Sequence, residues 1–486
     1  MKNQQEIINN VSPLIEKKKY FDAKDIMLNF LQNSQNTKIG IKFYFTLYLI
    51  FDGLKETKNA KKYLEKCFRI DQNNYIVLNN LANIFLKEGN IFKAEKYYLK
   101  SINLKDDYLL AIVNLAILYQ NLGKLEESKK FYLKAIKLSP KRISLYFNLS
   151  RIDNDYIDSE KIDYINSLIK NEKKENSEIA YGYFLLAEHA RKNKNYNLEI
   201  EYLKKANKYS FNSRQNANDQ TLFYWKNIIP KKYNNFNFKN EDQKNKLENI
   251  KPIFIIGLPR SGSTLVEVLI TSGSKNITSL GESSIFNGIV AKKFSKDHDN
   301  LIDLEYVGNK IFEIFDNKDL NFKNSLILDK SLENFFYIDV ILKVFPKALF
   351  IHTFRNTEDN IFAIFKQSLE KLSWTHSIED ILDYINTYFQ VLKYFMKKYP
   401  DRIYNVQLEE LTSNVEEISK KIYSFCGLSW SEKVLNFYER KDFLVSTASN
   451  IQIRKDIQKY EIKKYEHYKN LLKNFSKKYD WLKKND

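Results

Sequence analysis

The stretch KPIFIIGLPRSGSTLVEVLITSG, which begins at Lys251, holds the residues best suited to chemistry. Ile253–Ile256 form a short apolar β-type run, Gly257–Gly262 a turn, and Ser263–Ile270 a segment of helical character. A strand, a glycine-flanked turn and a helix start make a phosphate cradle. Backbone N–H groups at the helix N-terminus point at an anion, and the helix dipole favours it. The frame G-x-x-x-x-G is followed by Ser263 and Thr264, where a nucleotide triphosphatase needs Lys and then Ser or Thr. Arg260, inside the turn, supplies a fixed cation instead. Ordinary N-capping by Ser261 or Ser263 is the plainer reading of the same turn.

Three more residues belong beside it. Glu282, in NITSLGESSIFNGI, completes an S-x-x-E pattern with Ser279, so it is either a helix cap or a base. A base has a use: a phenol ionises near about pH 10 and alcohols higher, so a placed carboxylate helps an acceptor oxygen attack. Lys330 follows the β-type run Leu326–Leu328, and Arg355 follows the run LFIHTF. Both lie where α/β sites open, at strand carboxyl ends, although Lys330 read alone is an ordinary surface lysine. His352 within LFIHTF reads as a satisfied core residue, and His376 in SWTHS as a candidate for an acceptor cleft.

The string GLPRSGSTL, with DKSLEN from Asp329 and STASNIQIRKDI from Ser446, resembles the sulfotransferases, over roughly residues 252–475. The likeness is to the bacterial type joined to tetratricopeptide repeats and related to tyrosylprotein sulfotransferases. It implies a donor, 3′-phosphoadenosine-5′-phosphosulfate (PAPS), whose 5′-phosphosulfate is held by Pro259, Arg260, Ser261, Gly262, Ser263 and Thr264. It implies that Glu282 takes the acceptor proton, that Lys330 meets the bridging and sulfuryl oxygens, and that Asn334 orients substrate or cofactor. Arg355 then holds the 3′-phosphate, and Ser449, Gln452, Arg454 and Lys455 close over the nucleotide. Fixed cations replace a metal ion, so none is expected. Two departures stand out: Ala363 replaces a serine usual eight positions after the arginine, and Leu408 replaces a nucleotide-contacting tyrosine, so that the adenine contact is either apolar or supplied by Tyr404.

Upstream lie the elements that accompany this centre. YIVLNNLANIFLKEGNIFKAEKYYLKSINL and LLAIVNLAILYQNLGKLEESKKFYLKAIKL superimpose with Leu81 on Leu115, Ala82 on Ala116, Gly89 on Gly123 and Tyr98 on Tyr132, each 34 residues apart. That is the tetratricopeptide period, with small alanines for close helix approach and glycines at the turn. Weaker copies begin near Ile41, run from Ala180 to Ala206, and start at Tyr20 and Ile143. From Asn207 to Asn249 the period is lost and polar residues dominate, with a short helix expected around Leu222–Ile228. The tail from Tyr468 reads as an amphipathic basic helix with a solvated face.

Composition sets the outer bounds. At 486 residues more than one domain is expected, and 43% hydrophobic residues suffice for packed cores. A formal charge of +18 welcomes anions, but Lys, Asn, Ile, Tyr and Phe are all abundant, so nucleic acid ranks last among partners. Two cysteines exclude a disulfide scaffold, and no Cys/His spacing suits structural zinc. No apolar run reaches the length of a membrane span, and a cytoplasmic location is expected.

The expected architecture is an N-terminal tetratricopeptide α-solenoid (residues 1–207), a junction (208–250), and a P-loop-like three-layer α/β sulfotransferase domain with a parallel sheet (251–486). The expected function is sulfuryl transfer from PAPS to an acceptor hydroxyl of protein tyrosine, carbohydrate or small molecule. The repeats would recruit acceptor or protein partner on their concave face. The alternative is a scaffold whose nucleotide-binding domain has lost catalysis.

Overall fold

Apolar residues at helical spacing, broken by short polar turns, fold the first part of the chain into helix pairs. The computed structural model describes residues 3–34, 38–170, 173–240, 247–274, 276–294, 300–317, 326–439, 457, 459–460 and 465–485. The clearest pairs are Ile41–Gly53 with Thr57–Ile70, Tyr75–Lys87 with Ile91–Leu104, and Leu109–Leu122 with Leu125–Leu138. Ala60, Ala82, Ala94 and Ala116 are fully buried where helices meet, and Tyr98 and Tyr132 fill the space between them. Gly89 and Gly123 take the left-handed turn at φ 77°. Lys55, one repeat earlier, holds the same turn at φ 62° without glycine, so the weaker copy keeps the geometry at a backbone cost.

Packing divides the chain into two compact units. One comprises Met1–Gln120, Lys124–Pro140 and Ile314–Leu320; the other comprises Asn121–Gly123, Lys141–Glu313 and Asn321–Asp486. The helices Ile143–Ile152, Ser159–Ile169, Asn176–Lys192 and Tyr196–Asn212 therefore pack in the same unit as the sheet. The stretch after Asn207 is more ordered than its polarity suggests. Helix Gln215–Phe223 runs into a π turn at Tyr224–Ile228, because Tyr224 and Trp225 are buried against Tyr337 and Phe336.

The strands are β1 (Asn237–Lys239), β2 (Ile253–Gly257), β3 (Ile277–Ser279), β4 (Leu301–Asp303), β5 (Leu326–Asp329), β6 (Leu349–Phe354) and β7 (Ile403–Gln407). β1 and β4 form a small parallel pair, and the main sheet runs β3-β5-β2-β6-β7 with every pair parallel. β2 is buried along its whole length, as the near-continuous apolar run of a central parallel strand requires. Alternate residues face opposite layers. Ile253, Ile255, Leu328, Ile351 and Val406 pack with helices Ser263–Ser272 and Val415–Cys426. Phe254 and Phe350 stack with each other, and Phe254 also meets Phe286 and Phe345. The order sends the chain from β2 to β3 at one edge, then from β5 past β2 to β6. The carboxyl end of β2 is thus a topological switch point, where open α/β sheets bind ligands.

The tail does not form one long helix. Helix Lys469–Lys473 is short, and Tyr468, Leu472, Tyr479 and Leu482 are buried, so the apolar residues serve packing rather than the stripe of a free helix. Among the described residues no helix is long and apolar enough to cross a membrane.

Candidate active site

Each strand of the main sheet delivers a residue of interest at its carboxyl end. β2 runs into the turn 258–262, β3 is followed by Glu282, β5 by Lys330, β6 by Arg355 and β7 by Leu408. The sheet therefore gathers residues dispersed from position 258 to position 408 along one edge.

The turn is shaped by close backbone approach. Gly257 lies at φ 145°, and a Cβ there would stand 2.3 Å from the Thr353 carbonyl oxygen, so only glycine fits beside β6. Gly262 lies at φ 90° and is the N-cap of helix Ser263–Ser272, with no side chain capping it. Capping by Ser261 or Ser263 is thus not what builds the turn. The Ser261 hydroxyl donates to the Leu258 carbonyl oxygen at 2.7 Å and lies 2.8 Å from the Thr353 hydroxyl. The Pro259 carbonyl accepts from Asn360 at 2.8 Å. Ser263 and Thr264 are buried in the first helical turn.

Arg260 and Arg355 are neighbours. An Arg355 Nη1 donates to the Arg260 carbonyl at 3.1 Å, and both side chains are largely enclosed. Burial, and then the charges of Arg355 and Arg151, pull the Arg260 guanidinium down to about 10, against Tyr465, which acts upward. Burial likewise lowers Arg355. Two enclosed like charges side by side favour an anion, a sense in which Asp359 and Glu409 already act on Arg355. The Arg355 guanidinium lies over the Tyr460 ring, 4.2 Å from its centroid, and bonds to the Tyr460 hydroxyl, which donates to Asp359 at 2.9 Å.

The second cluster centres on Lys330, whose side chain is fully buried. Its Nζ donates to Glu282 Oε1 at 2.8 Å and lies 3.7 Å from Glu267 Oε2. Its backbone N–H donates to the Gly281 carbonyl at 2.9 Å, which pins β5 to the loop carrying Glu282. Burial works against the ammonium, but Glu267 and then Glu282 outweigh it and hold Lys330 above its ordinary value. Glu282 itself is 58% exposed, so the carboxylate that Lys330 grips also faces outward. Ser279 donates to Glu267 at 2.6 Å, so the capping-box pattern of the sequence is not realised. Asn334 is buried and donates to Asp329 at 3.0 Å, a role in holding the loop.

Other expectations sort as follows. His352 is held between Asn405 and Tyr388 in the sheet, and burial lowers it to about 4. His376 packs edge-on against Phe211, and burial lowers it to about 4 as well. Tyr404 stacks on Phe425 in the core. Leu408 packs over Gly262, where an added Cβ would meet its Cδ1 at 2.7 Å. Ala363 is buried. Ser449, Gln452, Arg454 and Lys455 lie outside the described residues.

Sequence reasoning passed over Glu267, Tyr460 and Tyr465. Glu267 had a signal, being the lone charge in the apolar helix STLVEVLITS. A buried carboxylate in such a setting needs a cation. The tyrosines had none, because they reach the arginines from a remote tail.

Residues 252–432 match the family model described as the sulfotransferase family, and residues 41–74, 75–108 and 110–142 match the tetratricopeptide repeat. An uncharacterized protein of Aquifex aeolicus (strain VF5) is 30% identical over 249 residues, 46% of this chain and 31% of that protein. The uncharacterized protein ycf37 of Porphyra purpurea is 36% identical over 66 residues, 14% of this chain and 38% of that protein. The chain thus spans about a third of the length of the curated relatives it matches. Among solved structures, the sulfotransferase domain of the Synechococcus PCC 7002 olefin synthase is 20% identical, with a TM-score of 0.33 over 44% of this chain and 88% of that one. The family matches fall on the helix pairs and on the sheet with its glycine turn: residues 41–142 are similar to tetratricopeptide repeats, and residues 252–432 to the sulfotransferase family.

Proposed function

We propose that the chain transfers a sulfuryl group from PAPS to an acceptor hydroxyl. The observation that carries this reading is the placement of two pairs, Arg260 with Arg355 and Lys330 with Glu282, at the carboxyl ends of adjacent parallel strands on either side of a glycine turn. The residues suit a donor with phosphate at both ends of an adenosine. Helix N–H groups and Arg260 fit the 5′-phosphosulfate, and the planar fork of Arg355 fits the 3′-phosphate. Tyr460 and Tyr465 lie beside those arginines and add polar and aromatic surface for the nucleotide. When bound, PAPS supplies an activated sulfur whose bridging oxygen leaves with 3′,5′-ADP.

The chain's own residues do the rest. Glu282 accepts the proton of the acceptor hydroxyl as its oxygen bonds to sulfur, and the electron pair of the broken S–O bond goes to the bridging oxygen. Lys330 stabilises the charge growing there without reorganising, because its position is already fixed by burial and two carboxylates. The repeats recruit the acceptor or a protein partner, in keeping with the concave surfaces of such arrays.

The test is transfer of labelled sulfate from PAPS to a panel of tyrosyl peptides, carbohydrates, phenols and alcohols, read by product mass. Transfer to one class supports the reading and names the acceptor. Folded protein that transfers to none refutes it.

A further inference from the structure

We propose that Glu267 is a positioning residue that acts through Lys330: it is the buried counter-charge of that lysine, and so leaves Glu282 able to take the acceptor proton. The inference rests on the sulfuryl-transfer reading above and deepens it.

The geometry is a lysine between two carboxylates of different kind. Glu267 is 4% exposed, sits on the first turns of the helix that begins at the glycine turn, and reaches Lys330 at 3.7 Å. Its other oxygen accepts from the Ser279 hydroxyl at 2.6 Å, so it is tied to β3 and cannot swing out to solvent. Glu282 is closer, at 2.8 Å, but more than half exposed. Only the second can meet an acceptor.

With Glu282 alone as partner, Lys330 would oppose catalysis. Taking a proton neutralises Glu282 and would leave the buried ammonium without its closest counter-charge, a state that burial disfavours. With Glu267 in place, the buried Lys330–Glu267 pair remains neutral while Glu282 cycles between carboxylate and acid. The ammonium stays fixed, and its charge stays available to the leaving oxygen. Among the neighbouring acids Asp329 also acts on Lys330, after Glu267 and Glu282, but both it and Glu333 are engaged elsewhere. Asp329 is bonded to Ser283, to the Ser331 N–H and to Asn334, and Glu333 to Ser284. Burial raises all three carboxyls; at Glu267 Lys330 and the Ser279 hydrogen bond act downward and Glu282 upward, and the net direction stays up.

The experiment compares kcat against pH, at saturating PAPS, for wild type, Glu267→Gln and Ser279→Ala, with thermal unfolding of each. In Glu267→Gln, the Lys330 charge bears mainly on Glu282, its closest carboxylate. The acid limb then moves to lower pH by about one unit, and the plateau falls about threefold to tenfold as the base weakens. KM for PAPS stays within about twofold. Ser279→Ala weakens the Glu267 carboxylate without removing it, so its limb moves the same way by less. Should Glu267→Gln lose its cooperative unfolding, the Ser279→Ala profile decides alone. A limb that stays in place or moves up in a folded variant overturns the proposal, because a merely structural Glu267 changes stability and not the profile. Wild type without sulfuryl transfer refutes the underlying reading instead, so the two failures are separable.

Discussion

Glu282 carries the sharpest prediction at the level of a single residue. It is the one carboxylate of the Lys330 cluster that combines a direct hydrogen bond to the lysine with wide exposure. Glu282→Gln keeps the shape and an acceptor for Lys330 but cannot take a proton. Its kcat should fall by about 10²- to 10⁴-fold, while affinity for 3′,5′-ADP stays within about threefold and stability within about 1 kcal/mol. A loss of affinity equal to the loss of kcat would place Glu282 in donor binding instead. The partners at this scale were unevenly legible in sequence. The sulfotransferase resemblance, more than residue type alone, pointed to Arg260, Lys330 and Arg355, while S-x-x-E pointed to a cap that does not form. Ser279 and Glu282 each found a partner distant in the chain, Glu267 and Lys330, and such tertiary pairing leaves no local pattern.

Elements were easier to read than residues because their signals are periodic. The 34-residue spacing marked the central helix pairs, and the apolar runs at 253–256 and 326–328 grew by only one residue each, to Gly257 and Asp329. The stretch after Asn207 reads as polar with a short helix around Leu222–Ile228; the helix starts earlier, at Gln215, and runs into a π turn at Tyr224–Ile228, because Tyr224 and Trp225 find an aromatic pocket that composition averages away. The tail failed for the opposite reason. Its apolar residues fit a helical stripe, but Tyr468 is claimed by Glu199 and Tyr479 by Asp383, which breaks the run into short turns. The repeat turns give an element-scale prediction. Lys55 sits at φ 62° where Gly89 and Gly123 sit in the next two copies. Lys55→Gly should therefore stabilise the protein by about 0.5–1 kcal/mol in chemical unfolding, the relief of a left-handed side chain less the added freedom of the unfolded chain. A destabilised variant would mean that the Lys55 side chain contributes more than its backbone costs.

For the whole molecule, two buried imidazoles tie stability to pH. Burial lowers His352 and His376 from 6.5 to about 4, so between those values the unfolded chain binds protons that the native protein does not. Stability contributed by keeping them neutral is present above about pH 6.5 and is lost as pH falls toward 4, on the order of 2–3 kcal/mol for each. The carboxyls raised by burial act in the opposite sense, losing stability as pH rises through their native values, so the histidine effect is read as a difference. His376→Leu should leave stability near neutral pH within about 1 kcal/mol and remove part of the acid-side fall; an unchanged slope would contradict the account. The central claim is that two adjacent arginines at the sheet's edge hold a nucleotide carrying a phosphate at each end. The direct measurement is titration calorimetry of 3′,5′-ADP and of 5′-ADP against the wild type and Arg355→Gln. The account predicts that the wild type binds 3′,5′-ADP about 10- to 100-fold more tightly, the worth of one charge-assisted phosphate contact, and that the ratio collapses toward one in the variant. Equal affinity of the wild type for the two nucleotides would contradict it.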